Sequence, residues 1–117
     1  MDGAFLRFYV EEGQRHGSVL LWEWLLEKAS GQGIRGGSAF RSIGGFGRQQ
    51  VVHENRFFEL PGTTVVEVEF IVTDDESAKL LEIIRNEKVR VFYARVPAHF
   101  GVINPDVHDA PSVAVNE

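Results

Sequence analysis

Between Ala4 and Val10 apolar and polar positions alternate. Ala4, Leu6, Phe8 and Val10 fall on one face and Phe5, Arg7 and Tyr9 on the other, the two-residue period of a β-strand. Both faces carry aromatic bulk, so the strand is expected to be covered on two sides or to lie at a subunit contact. The polar stretch from Glu11 to Gly17 reads as a turn. From Ser18 the spacing becomes helical: Leu21, Trp22, Leu25, Leu26 and Ala29 form one wide apolar stripe. Ser18 is placed to cap its start, and Gly31 or Gly33 to end it. Leu20 and Trp24 fall off that stripe. Trp24 reads equally as a scattered surface residue or as a subunit contact.

Ile34 to Ile43 reads as a glycine-bearing strand that runs into Gly44-Gly45-Phe46-Gly47-Arg48-Gln49. A further strand from Thr64 to Val72 puts Val66, Val68, Phe70 and Val72 on one face and Val65, Glu67, Glu69 and Ile71 on the other. The connection between these strands holds His53, Glu54, Asn55 and Arg56, with a turn at Pro61-Gly62. Its stretch from Gln50 to Leu60 is polar, is longer than a usual hairpin and lacks tight-turn pairs, which predicts a mobile loop.

Thr73-Asp74-Asp75-Glu76 has the hydroxyl-to-carboxylate spacing of a capping box, and its acidic first turn suits a helix dipole. Ser77, Leu80, Leu81 and Ile84 give that helix its buried stripe. Val89 to Val96 is a final strand, rich in β-branched and aromatic residues. From Asn104 onward the chain has Pro105, Pro111 and few large apolar groups, so residues 104–117 are expected to form a flexible tail behind a single domain over residues 1–103.

The resulting order is β-α-β-β-α-β, an α+β chain of the ferredoxin-like plan: an antiparallel sheet with both helices on one face. Two helices cover only one side of such a sheet. Phe5, Tyr9, Val65 and Ile71 on the other side would leave a larger apolar patch than monomers usually expose, which predicts an oligomer.

Composition narrows the chemistry. The chain has no cysteine, which removes disulfides, thiolate metal sites and cysteine nucleophiles, and fits a cytoplasmic protein. No apolar run approaches the ~20 residues that span a bilayer, and no basic-then-apolar leader opens the sequence. A formal net charge of −5 opposes nucleic-acid binding. The element order is shared with RNA-recognition domains, but Gly44 to Arg48 and the strand after it lack their aromatic spacing.

His16, His53, His99 and His108 have no metal-ligand spacing, and a single methionine with no cysteine argues against soft-metal binding. Ser38 and Ser42 have no neighbouring base. Asp74 and Asp75 read as helix-start residues, and Glu11-Glu12 as a solvated turn. A small ferredoxin-like enzyme with a cleft on the sheet stands as the alternative function, with His53 or Glu54 as its first candidate acid or base.

The glycine segment has two readings. It is either a bulge and hairpin turn, or a backbone cradle in which glycines allow close approach and successive N–H groups meet an anion, with an arginine fork beside it. Arg41 likewise is either an outward-facing edge residue or part of that site.

Gly45-Phe46-Gly47-Arg48-Gln49 resembles the segment of PII signal-transduction proteins that leads into their T-loop, at the same point of the element order. The His16-Gly17 turn, the Gly37 strand and the spacing Arg41-x-Ile43-x-Gly45-Phe46-Gly47 resemble a specific branch, the PII-like domain-of-unknown-function family 190, over roughly residues 3 to 103. The resemblance implies a homotrimer with inward-facing sheets and ligand clefts between subunits. It implies an adenine nucleotide or another small anionic metabolite as ligand, bound by Arg41, Gly45, Phe46, Gly47, Arg48 and Gln49. It further implies signalling through a loop over residues 48–62 to a target protein such as a membrane transporter. Gly44 stands where PII proteins usually carry a lysine, no tyrosine lies in the loop, and the short Asn86-Glu87-Lys88 turn replaces their second phosphate-gripping loop. These departures point to a smaller or differently oriented ligand than ATP.

Overall fold

The alternating N-terminal segment becomes an inner strand of the sheet. The computed structural model describes residues 1–45 and 64–108. In it β1 (Asp2–Glu11) is followed by a small hairpin, β2 (Arg15–His16) and β3 (Val19–Leu20), then by α1 (Leu21–Gly31) and β4 (Gly37–Arg41). After the connection come β5 (Val65–Thr73), α2 (Asp74–Asn86) and β6 (Phe92–His99). The four long strands form one sheet in the order β4-β5-β1-β6, every neighbour antiparallel. With the small hairpin set aside, this is the ferredoxin-like arrangement, two helices on one side of an antiparallel sheet.

The core lies where the strand and helix patterns meet. Ala4, Leu6 and Phe8 of β1 and Val68 and Val72 of β5 are wholly buried, facing Leu25 of α1 and Leu80 of α2. The Phe8 and Phe70 rings meet edge to face with centroids 6.1 Å apart, a favoured aromatic geometry. At the start of α2 both halves of the capping box form: the Glu76 N–H donates to Thr73 Oγ1 at 3.2 Å, and the Thr73 N–H donates to Glu76 Oε1 at 2.9 Å. Ser77, the one buried polar residue among the described residues, keeps its hydroxyl satisfied by accepting from Arg95 Nε at 3.2 Å. Arg95 also pairs with Asp74, tying the first turn of α2 to β6.

Several local expectations are corrected. Ser18 does not cap α1. It sits in the β2–β3 turn with Gly17 at φ +67°, and the N-cap is Leu20, with no side-chain cap bond. Part of the Glu11–Gly17 turn is therefore strand. Trp24 is buried rather than exposed: the His16 ring of the hairpin meets it at 4.7 Å, and the Lys28 ammonium lies 5.8 Å from the ring centre.

At the other end of α1, Gly33 at φ +83° closes a Schellman motif, with the Ile34 N–H donating to Ala29 O and the Gly33 N–H to Ser30 O. The last strand runs from Phe92 to His99, three residues later than its composition suggests. Val89 still belongs to the turn that ends α2, its N–H reaching Ile84 O, and the long β1 draws β6 out to pair Asp2 with His99. Beyond β6, Asn104 to Val107 make an exposed turn. The loop expected from Gln50 to Leu60, the Pro61-Gly62 turn and the end of the tail lie outside the described residues.

Candidate functional site

Edge strand β4 ends on Arg41, at the mouth of the connection that carries the glycine segment. Arg41 lies opposite Val66 in the sheet and points to solvent, with a side chain 67% exposed. Its guanidinium is held on one side: Nε donates to Glu12 Oε2 at 3.2 Å, and a terminal nitrogen reaches the same oxygen. Glu12 is fixed in turn, because its N–H donates to Thr64 O at 2.7 Å where the chain re-enters β5. The hydrogen bond from Arg41 lowers the Glu12 pKa, and the same bond raises that of Arg41. A permanent cation is thus pre-oriented at the entrance of the loop, with donors left over for an anion.

The ladder runs one residue past Arg41 before the chain bends at Ile43 and Gly44. The Ser42 N–H continues the ladder by donating to Val65 O at 2.8 Å, and its hydroxyl donates to Gly44 O at 2.8 Å. Ile43 is fully exposed, and Gly45 takes φ +151°, a backbone state that side chains other than hydrogen rarely adopt. Of the residues singled out from sequence, Arg41 and Gly45 lie four residues apart at the loop entrance. Phe46, Gly47, Arg48 and Gln49, and the alternative candidates His53 and Glu54, lie outside the described residues. Glu12 was read from sequence as part of a solvated turn. Its role depends on the register that sets the end of β1 and the end of β4 on either side of the start of β5, which no local spacing displays.

Two shallow clefts lie away from this entrance. One is lined by Asp2, Asp74, Arg95 and His99, which are already engaged with one another in the pairs Arg95–Asp74 and His99–Asp2. The other lies between the end of α1 and the start of β4, beside Leu26, Arg35 and Phe70. Among the described residues no three His, Asp or Glu side chains converge as metal ligands. No described helix is long and apolar enough to cross a membrane.

The sheet face turned away from the helices carries a second concentration of charge. Arg7 of β1 stands between Glu69 and Glu67 of β5, with Nε 3.0 Å and 4.0 Å from their carboxylate oxygens. Its Cζ lies 4.7 Å from the centre of the Phe5 ring. Burial raises the Glu69 pKa; Arg7 opposes that shift and Glu67 adds to it.

Residues 3–93 match the DUF190 family, described as an uncharacterised ACR. A UPF0166 protein of Aquifex aeolicus (strain VF5) is 28% identical over 82 residues, covering 70% of this chain and 78% of that protein. Among solved structures, a proposed PII-like signalling protein from Thermus thermophilus superposes with a TM-score of 0.57 at 16% identity, covering 84% of this chain and 88% of that one. That likeness is one of fold.

Proposed function

The chain belongs to the DUF190 family, and from that premise we propose that it is a PII-like regulatory protein. In this reading it forms a homotrimer and binds a small anionic metabolite or an adenine nucleotide in clefts between subunits. Occupancy is relayed through the 48–62 loop to a target protein, for which a membrane transporter is the model. Arg41 and Gly45, with Phe46, Gly47, Arg48 and Gln49, are the proposed ligand-binding residues. The observation that carries the reading is the half-engaged Arg41 guanidinium, anchored by Glu12 at the point where β4 gives way to the glycine segment. Arginine in that position offers a planar donor fork suited to phosphate or carboxylate. The fold it shares with a proposed PII-like signalling protein supports the same role.

A thermal-shift screen of nucleotides, cyclic nucleotides and small organic anions tests this. A ligand at one hundred times its dissociation constant adds about 2.7 kcal/mol to the stability of the fold, a readable rise in melting temperature. Arg41→Ala and Arg48→Ala should each abolish the rise while leaving the subunit count measured by light scattering unchanged. A screen in which no anion raises the melting temperature, or a shift that survives both substitutions, removes the chemical basis of the proposal.

A further inference from the structure

The face of the sheet opposite the helices is built in rows. Cross-strand register aligns Phe40, Glu67, Tyr9 and Phe92 in one row, Ser38, Glu69, Arg7 and Ala94 in the next, and Ile71, Phe5 and Val96 in a third. Apart from Glu67 and the Tyr9 hydroxyl the outer rows are apolar, and they are open: Phe40, Ile71, Phe92 and Val96 are each more than half exposed. Arg7 and Glu69 lie in the middle row with Glu67 beside them in the first, and the cluster is already partly withdrawn from water, with the Glu69 side chain only 18% exposed. Arg7 Nε is fully buried yet has no acceptor in line with its N–H, although Glu69 Oε2 stands 3.0 Å away.

We infer that this face is a proton-linked self-association surface, on which copies of this chain assemble with uptake of about one proton per chain at the Arg7–Glu67–Glu69 cluster. The inference rests on the oligomer reading above and adds its regulation. A second copy is the occupant because the face is complementary to itself. It carries both signs of charge on adjacent strands, among exposed apolar side chains, so symmetry-related copies bring Glu67 of one toward Arg7 of the next while apolar side chains meet.

The charges do not cancel, however. Each chain brings two carboxylates and one guanidinium, which leaves one negative charge to be buried. Burying an unpaired carboxylate is costly, and the group takes a proton instead. Glu69 is the natural acceptor, since burial and the neighbouring Glu67 already favour its neutral form. The groups facing it are Arg7 and Tyr9 from β1 and Glu67 from β5. β4 and β6 contribute Ser38, Phe40, Phe92 and Ala94, and Glu11 lies one row beyond the aromatics.

Association that takes up a proton tightens as pH falls and weakens as pH rises. The dissociation constant changes by up to about tenfold per pH unit for each proton taken up. Sedimentation equilibrium of the full chain, with circular dichroism to confirm folding, should be run as a pH series descending from mildly alkaline solution into acid for as long as the chain stays folded, because proton uptake appears as a slope of affinity against pH. The unmodified chain should associate more tightly at the acid end. Glu69→Gln, a neutral isostere, should associate at the alkaline end as tightly as the unmodified chain does in acid, with most of the pH slope lost. An oligomer whose affinity is independent of pH, or a Glu69→Gln chain that keeps the full slope, overturns the inference and leaves the oligomer reading standing. A chain that is monomeric at every pH overturns both.

Discussion

The ring of buried Phe70 lies directly over the Cα of Gly37, so that a β-carbon at that position would stand 2.4 Å from Phe70 Cε1 and 3.2 Å from Leu26 Cδ2. The glycine is there to let edge strand β4 close over the core. Gly37→Ala should destabilise the fold by about 1–3 kcal/mol, the usual cost of an overpacked site. Urea denaturation measures it, and an unchanged midpoint would show that the ring has room to move.

Trp24 joins the β2–β3 hairpin to α1 from inside the molecule. With the indole 6% exposed and the His16 ring packed on it, Trp24→Ala should cost about 3–5 kcal/mol, as large-to-small core changes do. The same substitution should leave the subunit count of the folded fraction unchanged. Loss of assembly without loss of stability would instead return Trp24 to a subunit contact.

The capping box at Thr73 and Glu76 supplies partners for two backbone donors at the start of α2. Thr73→Ala should therefore cost about 1 kcal/mol. In a double-mutant cycle with Glu76→Ala the two losses should be less than additive, because each substitution breaks part of one reciprocal unit.

Glu69 should titrate above its ordinary value of 4.5, as read from the carboxyl carbon by NMR. Glu67→Gln should bring the midpoint down and Arg7→Gln should push it further up, since Glu67 opposes the ionised form and Arg7 favours it. A raised pKa in the folded chain means that protonated Glu69 favours folding. That contribution is complete below about 4.5 and is lost as pH rises through the raised value. Glu69→Gln should remove this part of the pH dependence of stability, and a midpoint at or below the ordinary value would refute the assignment.

The elements were legible wherever the signal is local. Period-two alternation gave β1 and β5 with the correct inner faces, and the hydroxyl-to-carboxylate spacing gave the start of α2 to the residue. Local spacing failed at Ser18, where a cap and a tight hairpin turn ask for the same residue type and the pairing of Arg15 with Leu20 decides between them. It failed again at β6, whose limits follow the length of β1 rather than its own composition.

The amino-acid sequence by itself determined the order of the six main elements, the buried stripe of α2, the β1 and β5 faces and the place of Arg41 and the glycine segment at the end of a strand. Those features depend on residues within a turn or two of one another, where backbone geometry sets the period. Tertiary structure alone decided that Glu12 holds Arg41, that His16 reaches both Trp24 and Glu87, and that Arg7 is shared by two carboxylates of β5. These pairs join residues far apart in the chain. Strand order and register bring them together, and register is set by the burial of whole faces rather than by any neighbouring residue.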